Sequence, residues 1–213
     1  MKTNTLIIGK GDDIITMILD NLVSKDIVGE ITILNNLNLP ILSNFEHPLF
    51  QISISDSVEL FKSEKWILGI YKPELKKKIV ENLNLLDNHR FINVIHDDVD
   101  ISLTSTLGFG CLVNSKTSIA AKTKIGNFVS INRNVSIGHH TIINDFVSIN
   151  PGCNIAGHTS IGELTTIGMG SQILNNVKIG KNTIIGAGSI VTRDIPDNVV
   201  AWGSPCKIIR ENG

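Results

Sequence analysis

The chain has 213 residues, of which 42 % are hydrophobic, 18 % charged and only 5 % aromatic. A chain of this length makes one or two domains with a sizeable core. With so few rings, that core must consist mostly of β-branched aliphatic residues, which favour strands. The 19 basic and 20 acidic residues nearly cancel, so we expect neither nucleic acid nor an anionic membrane as a partner. No apolar run is long enough for a membrane span or a signal peptide, so we expect a cytoplasmic protein.

The first 94 residues predict a small α/β domain with a Rossmann-like parallel sheet. Predicted elements are strands at Thr5–Ile8, Glu30–Leu34 and Trp66–Tyr71, and helices at Asp12–Val23 and Pro73–Asn84. Strands that alternate with helices are typical of a parallel sheet. The turn Gly9-Lys10-Gly11 joins the first strand to the first helix, a place where backbone amides can hold a phosphate.

From residue 95 onward an aliphatic residue recurs at every sixth position. Sixteen such positions run from Ile95 to Ile185, and fourteen of them are isoleucine. A small or β-branched residue stands four places after each one, and Cys111 and Cys153 in this series predict buried side chains rather than disulfide partners. A period of six indicates a triangular solenoid with one short strand per hexad and three hexads per coil. Gly or Asn often follows the aliphatic position directly, as at Gly126, and predicts a corner that needs permissive backbone angles.

Residues 18 apart lie over one another in such a solenoid, separated by about 4.8 Å. The register therefore stacks His139 on Gly157 and His140 on His158.

The same register builds an apolar stripe from Phe128, Phe146 and Leu164. An exposed apolar stripe on the side of a solenoid indicates a partner, and we interpret this one as a contact between subunits.

The repeat resembles the hexapeptide-repeat left-handed β-helix family over roughly residues 95–205, and the handedness is taken from that resemblance. With the N-terminal domain and the closing segment 200–207, nearly the whole chain resembles bacterial sialic-acid O-acetyltransferases and nucleotide-amino-sugar N-acetyltransferases. The resemblance implies a nucleotide-sugar-binding domain over 1–94, a left-handed β-helix with an acetyl-CoA site over 95–192, and a C-terminal tail over 193–213. It also implies a homotrimer whose active sites lie between neighbouring prisms.

The resemblance further implies the roles of single residues. His139 matches the general base, and a histidine with a pKa near its ordinary value of ~6.5 can accept a proton at neutral pH. Gly157 matches the glycine whose amide stabilises the oxyanion of the tetrahedral intermediate. Asn132 matches a residue that contacts the acceptor sugar. The acetyl-CoA groove is matched by Ser148, Gly157, Met169 and Ala187.

Two departures from the family's pattern concern the site. His140 stands where Glu or Asp is usual, so either the base is weaker or another acid takes over.

In the predicted nucleotide pocket, Gly9-Lys10-Gly11 departs from the family's Gly-x-x-Gly-His loop. Asn35 and Asn36 replace an acidic pair, and Tyr71 stands where glycine is common. Together with Asn132, Gly9, Lys10, Gly11, Asn35 and Asn36 are the predicted substrate-binding residues. The departures leave the identity of the nucleotide, and the need for one, open.

We expect an acetyl-CoA-dependent N-acetyltransferase that acts on the amino group of a nucleotide-linked 4-amino-4,6-dideoxysugar used in surface polysaccharide or glycoprotein. The transfer is expected to be direct, since no activated nucleophile is apparent, and no metal is expected. One alternative is O-acetylation of sialic acid or another sugar. Others are a zinc protein like the γ-class carbonic anhydrases, with His139, His140 and His158 as ligands, and a non-catalytic solenoid. The N-terminal α/β domain is foreign to that carbonic anhydrase class.

Overall fold

A computed structural model describes residues 5–9, 12–23, 30–34, 51–55, 65–82 and 90–213. Its N-terminal part is a four-stranded parallel sheet in the order β3-β2-β1-β4, accompanied by two helices. The elements are β1 Thr5–Ile8, α1 Asp12–Val23, β2 Glu30–Leu34, β3 Gln51–Ser55, β4 Lys65–Leu68 and α2 Pro73–Asn82.

The central strand β1 is buried on both faces of this sheet. Ile7 packs in one hydrophobic cluster with Ile15 and Ile18 of α1. Leu6 and Ile8 belong to a second cluster that includes Ile79 of α2. Burial on both sides explains why β1 is a continuous apolar run rather than an alternating one.

The predicted elements of this domain are confirmed, with one difference: the predicted strand Trp66–Tyr71 runs over Lys65–Leu68. The predicted helix Pro73–Asn84 is found over Pro73–Asn82, and its last two predicted residues lie outside the described residues. Strand β3 was not predicted, although its sequence QISIS alternates with the period of two that indicates a strand.

The remainder of the chain is a parallel β-solenoid, as the hexad period predicts. Seventeen two-residue strands follow one another: β5 Val94–Ile95, β6 Asp100–Ile101, β7 Thr106–Leu107, β8 Leu112–Val113, β9 Ser118–Ile119, β10 Lys124–Ile125, β11 Ser130–Ile131, β12 Ser136–Ile137, β13 Ile142–Ile143, β14 Ser148–Ile149, β15 Asn154–Ile155, β16 Ser160–Ile161, β17 Thr166–Ile167, β18 Gln172–Ile173, β19 Lys178–Ile179, β20 Ile184–Ile185 and β21 Ile190–Val191. Strands three apart in the chain pair in parallel, and Ile131 pairs with Ile149 as an example of the 18-residue register.

The solenoid strands form three faces, each named here after its first strand. The β5 face holds β5, β8, β11, β14, β17 and β20, the β6 face holds β6, β9, β12, β15, β18 and β21, and the β7 face holds β7, β10, β13, β16 and β19. Two C-terminal strands, β22 Val199–Gly203 and β23 Cys206–Glu211, extend the β5 face. The segment predicted as a tail thus carries a hairpin on the solenoid, while the predicted divisions at 94/95 and 192/193 stay predictions.

The aliphatic positions of the hexads point into the prism. From Ile119 to Ile185 they are buried, and so are the small residues four places later, including Cys153. Cys111, four places after Leu107, is buried as well. The core is thus a stack of Ile, Val, Thr and Ser side chains, and the prediction of inward aliphatics and buried cysteines is confirmed.

The prediction about the corners is wrong in its position. The left-handed backbone falls three residues after the aliphatic position, where φ lies between 50° and 62° at residues such as Phe128, His140 and His158. Glycines directly after the aliphatic position serve close packing between coils instead. A Cβ atom at Gly138, for example, would stand 2.4 Å from the backbone nitrogen of Gly157.

The apolar stripe packs within the chain. Phe128 is 3 % exposed and Phe146 is 9 % exposed, because both rings pack in one cluster with Trp66, Phe91 and other residues preceding the solenoid. The two Phe rings stack at 5.2 Å between centroids and 9° between planes. The interpretation of this stripe as a subunit contact is therefore wrong, since the N-terminal domain covers it.

A buried lysine joins the same two parts of the molecule. Lys76 of α2 is 1 % exposed, and its Nζ donates to Phe128 O at 2.8 Å and to Ser130 Oγ at 3.1 Å. Burial lowers the pKa of Lys76 to about 7, against smaller opposing effects of Cys111 and Glu74.

Among the described helices, of 12 and 10 residues, neither has the length and apolar character that crossing a membrane requires.

Candidate active site

Three histidines meet at the corner that leads from the β6 face to the β7 face. His139 and His140 follow β12, and His158 lies one coil further on, where its backbone N–H donates to His139 O at 2.9 Å. The rings of His140 and His158 stack at 4.7 Å, and the ring of His139 meets both edge to face. All three side chains are exposed. The predicted stacking of these residues is confirmed, and we call this group with Gly157 the histidine corner.

The two adjacent histidines face each other through the same ring atom. Nδ1 of His139 lies 3.0 Å from Nδ1 of His140, so one of these nitrogens carries the proton of a hydrogen bond. If His139 donates and His140 accepts, Nε2 of His139 keeps its lone pair and can act as a base.

The environment of His140 favours the accepting role. Its pKa is lowered mostly by partial desolvation, and then by electrostatic interaction with His158, Lys122 and His139. A lowered pKa keeps His140 neutral, and a neutral imidazole has a ring nitrogen that can accept from His139.

Gly157 lies directly against the reactive edge of His139. A Cβ atom built at Gly157 would stand 2.9 Å from Cε1 and 3.0 Å from Nε2 of His139. Only a glycine therefore leaves the imidazole its observed place and leaves room beside it.

The backbone N–H of Gly157 donates no hydrogen bond to any described residue. At equivalent positions of the β7 to β5 corner, such an amide holds a side-chain oxygen from the next coil, as Asn127 N–H does with Asp145 Oδ1 at 2.7 Å. Amides at this position of the repeat can thus hold an oxygen, and at Gly157 no described residue supplies one.

A cleft of about 630 Å³ lies at a different corner, between α1 and the turn from the β5 face to the β6 face. It is lined by one face of α1, by a residue between β4 and α2, and by residues that follow β11 and β14: Asp13, Thr16, Met17, Asp20, Tyr71, Asn132, Arg133 and Pro151. The four helix residues are spaced i, i+3, i+4 and i+7, so they lie on one face of α1, and the sequence alone indicates this. Neither they nor Arg133 were predicted as site residues.

Tyr71 organises the floor of this cleft. Its hydroxyl accepts from Asn132 Nδ2 at 3.1 Å and Asn114 Nδ2 at 3.3 Å, and it donates to Met17 Sδ at 3.7 Å. Burial raises the pKa of Tyr71 to about 12, although Asn114, Arg133 and Asn132 oppose that rise. Tyr71 therefore stays protonated and fixes the carboxamide of Asn132.

Of the other residues predicted to bind a substrate, the structure describes only Gly9. Gly9 is buried, has a φ of 120°, and its N–H donates to Leu34 O at 3.3 Å. A Cβ atom at Gly9 would stand 2.6 Å from Gly69 O, so close packing between β1 and β4 requires this glycine. The remaining predicted residues, Lys10, Gly11, Asn35 and Asn36, lie outside the described residues.

Ser148, predicted to line the acetyl-CoA groove, has a buried side chain. It is 3 % exposed, and its hydroxyl donates to the backbone oxygen of Tyr71 at 2.6 Å. Ser148 thus helps to join the N-terminal domain to the β5 face. Its predicted place in the acetyl-CoA groove stays a prediction, and within one chain the side chain is covered.

Met169 and Ala187 are exposed and stack one coil apart, as predicted. They lie at the corner after the β5 face, in line with Arg133 and Pro151 of the cleft, and not at the histidine corner. Within one chain, the predicted residues therefore form two separate groups at different corners of the prism.

Comparison with known proteins supports the repeat and the fold. Residues 158–193 match the family model described as bacterial transferase hexapeptide (six repeats). No curated protein matches the chain by sequence.

Solved structures match nearly the whole chain. A histidine-to-asparagine variant of perosamine N-acetyltransferase from Caulobacter crescentus, in complex with CoA and GDP-perosamine, is 24 % identical with a TM-score of 0.82 over 99 % of both chains. The acetyltransferase domain of PglB from Neisseria gonorrhoeae, in complex with acetyl coenzyme A, is 23 % identical with a TM-score of 0.84 over 98 % of this chain and 100 % of the other. WeeI from Acinetobacter baumannii is 22 % identical with a TM-score of 0.77 over 97 % and 100 %. The predicted resemblance to hexapeptide-repeat proteins and the predicted fold class are confirmed.

Proposed function

We propose that this protein is an acetyl-CoA-dependent acetyltransferase that acts on the amino group of a nucleotide-linked 4-amino-4,6-dideoxysugar. The observation that carries the proposal is the contact between the Nε2 edge of His139 and Gly157, whose amide has no hydrogen-bond acceptor among the described residues. A base and an oxyanion donor thereby share one small, open site.

The chemistry follows from these two groups. The sugar amine attacks the thioester carbonyl while Nε2 of His139 accepts the proton of the amine. The carbonyl oxygen becomes an oxyanion, which the N–H of Gly157 stabilises, and collapse of the intermediate expels the CoA thiolate. General-base help contributes about 10²–10⁴ in rate, and one oxyanion donor contributes about 10²–10³.

His140 acts as a positioning residue in this proposal. By accepting from Nδ1–H of His139 at 3.0 Å, it fixes the tautomer in which Nε2 is free. It supplies no negative charge, so the imidazolium of His139 is stabilised less than it would be beside a carboxylate.

The predicted site residues lie at two different corners of the prism, which supports an active site between copies of the chain. The cleft with Asn132, together with Met169 and Ala187, lies after the β5 face, whereas His139 lies after the β6 face. One prism cannot bring its own two corners together, but a neighbouring prism in a homotrimer can supply the second group. We propose that the acceptor occupies the cleft of one copy and is acetylated at the histidine corner of another.

The structural relatives support the choice of substrates. One was solved with CoA and GDP-perosamine and another with acetyl coenzyme A. Both match this chain over its N-terminal domain as well as its solenoid, which favours an acetyltransferase over a carbonic-anhydrase-like zinc enzyme. We also propose a cytoplasmic location and a role in polysaccharide or glycoprotein synthesis.

A substrate panel tests the proposal. The protein and acetyl-CoA are incubated with UDP-, dTDP- and GDP-linked 4-amino sugars and with free sialic acid, and CoA release and product mass are followed. We expect CoA release and a mass gain of one acetyl group with a nucleotide-linked amino sugar. Acetylation of sialic acid alone would overturn the proposed acceptor. If no tested acceptor gave CoA release, the proposed reaction would be overturned.

A further inference from the structure

We propose that His139, His140 and His158 form a binding site for a divalent transition metal of the Zn²⁺ type, and that the bound metal blocks acetyl transfer. The binding part of this inference depends only on the three histidines. The inhibitory part also rests on the proposed function of His139.

The spacing of the three rings carries the inference. One ring nitrogen from each histidine lies within 4.8 Å of the nitrogens of the other two. In a tetrahedral Zn²⁺ site with Zn–N bonds of about 2.0–2.1 Å, the ligand nitrogens are about 3.3 Å apart. The His139 and His140 Nδ1 atoms, at 3.0 Å, are already near that separation. No separation exceeds 4.8 Å, so reaching about 3.3 Å requires a movement of at most roughly 1.5 Å.

The side chains are free to make that movement while the backbone is held. All three histidines are exposed, so rotation about their side-chain torsions displaces no core residue. Their backbones are fixed by the coil register, through the hydrogen bond from His158 N–H to His139 O. The repeat thus presents three imidazoles on two coils without any dedicated loop.

The chemistry of the ligand set indicates the class of metal. Neutral imidazole suits Zn²⁺, Cu²⁺ and Ni²⁺, whereas Mg²⁺ and Ca²⁺ prefer oxygen. Three histidines leave a fourth position for water, as in sites with an open coordination position. Lys122 opposes binding, because its positive charge acts on His140. Its removal should therefore tighten binding.

Metal binding and acetyl transfer exclude each other in this geometry. A metal held by one ring nitrogen of His139 leaves no free lone pair on Nε2: either the metal occupies Nε2, or it binds Nδ1 and Nε2 carries the ring proton. The metal also replaces the hydrogen bond between the two Nδ1 atoms. The metal also places a positive charge beside the attacking amine. The proposed metal is thus an inhibitor of the enzyme and not its cofactor.

Metal binding is measured on the full-length protein without substrates. Co²⁺ is titrated by its visible absorption, and Zn²⁺ affinity is obtained by competition with a chelator of known affinity. We expect micromolar or tighter binding with one metal per chain. His158→Gln and His140→Gln should each weaken it at least tenfold, since even losses outside the ligand set cost about 10–100-fold. Lys122→Met should bind more tightly than the wild type.

His96→Gln is the matched control, because His96 is a histidine of the solenoid that pairs with Asp98 outside this corner. It should bind metal like the wild type. Equal affinity of wild type and His158→Gln, or an equal loss in His96→Gln, would overturn the site. If a variant fails to fold, the imidazole ¹⁵N resonances of the wild type decide instead, since Zn²⁺ must shift those of all three histidines together.

A second measurement separates this inference from the proposed function. CoA release is followed with and without Zn²⁺, and inhibition should be reversed by the chelator and be weaker in His158→Gln. If no acceptor is acetylated, the proposed function fails while the titration still decides the metal site. If transfer occurs and metal fails to bind, only this inference fails.

Discussion

Replacing Gly157 with alanine should remove most of the acetyl transfer and leave the fold nearly unchanged. The added methyl group would stand 2.9 Å from Cε1 and 3.0 Å from Nε2 of His139, and 3.1 Å from its carbonyl oxygen. Comfortable contacts of this kind are about 3.5–4.0 Å long. The carbonyl belongs to the solenoid backbone and cannot withdraw, whereas the exposed imidazole can rotate away.

We therefore expect the ring of His139 to move by roughly 0.5–1 Å, which is the shortfall of those contacts. A misplacement of about 1 Å costs about 10² in rate. Gly157 has no positive φ, so alanine adds no left-handed strain. The thermal midpoint should fall by no more than about 2–4 °C, equivalent to about 1 kcal/mol in a chain of this size.

The assay compares kcat/KM, from initial rates of CoA release, with the midpoint of thermal unfolding followed by circular dichroism. Gly162→Ala is the control, because its methyl group would lie 2.4 Å from the backbone nitrogen of Lys181 at a corner without histidines. It should lose about 1–3 kcal/mol of stability while the folded protein keeps its kcat/KM. Wild-type kcat/KM in Gly157→Ala would refute the assigned contact between base and amide.

Three further predictions concern the contacts of the N-terminal domain with the solenoid. Phe128→Ala should cost about 3–5 kcal/mol of unfolding free energy in urea denaturation without changing oligomer size, whereas Leu103→Ala, at a fully exposed side chain, should cost nothing measurable. The stability of the wild type relative to Lys76→Met should rise with pH above about 7, because the folded state releases the Lys76 proton there and the unfolded chain holds it to near 10.5. The slope of that difference is about 1.4 kcal/mol per pH unit. Tyr71→Phe removes the acceptor of the Asn132 amide and one of two acceptors of the Asn114 amide, which keeps Ile131 O. It should therefore cost about 1–3 kcal/mol and raise KM for the acceptor sugar severalfold at little change in kcat.

Each of these predictions has a contrary result. A smaller assembly size of Phe128→Ala at unchanged stability would restore the interpretation of the stripe as a subunit contact. A constant difference between wild type and Lys76→Met from pH 6 to pH 9 would mean that Lys76 keeps its charge in the fold. An unchanged KM in Tyr71→Phe would separate the cleft from acceptor binding.

The solenoid could be predicted because its register is strictly local. A coil of 18 residues fixes which side chains are vertical neighbours, so the stacking of His139 on Gly157 followed from counting alone. The burial of Cys111 and Cys153 followed from the same count.

The contacts between the two parts of the chain could not be predicted in this way, because they depend on long-range packing. Nothing in the hexads says that Phe128 faces Phe91, or that Lys76 enters the interface from 52 residues away in sequence. The contact of Ser148 has the same origin, because its hydroxyl donates to the backbone oxygen of Tyr71, outside the repeat. The position of the left-handed residues was mistaken because glycine was taken as a sign of φ alone, when close packing of coils selects it equally.

The most direct test of the central claim is kcat/KM for acetyl transfer in His139→Ala, measured with an acceptor that the wild type acetylates. If His139 is the general base, kcat/KM should fall by about 10²–10⁴, while circular dichroism shows an intact solenoid because this side chain is exposed. Retention of more than about a tenth of the wild-type value would contradict the assignment of His139, and with it the active site at the histidine corner.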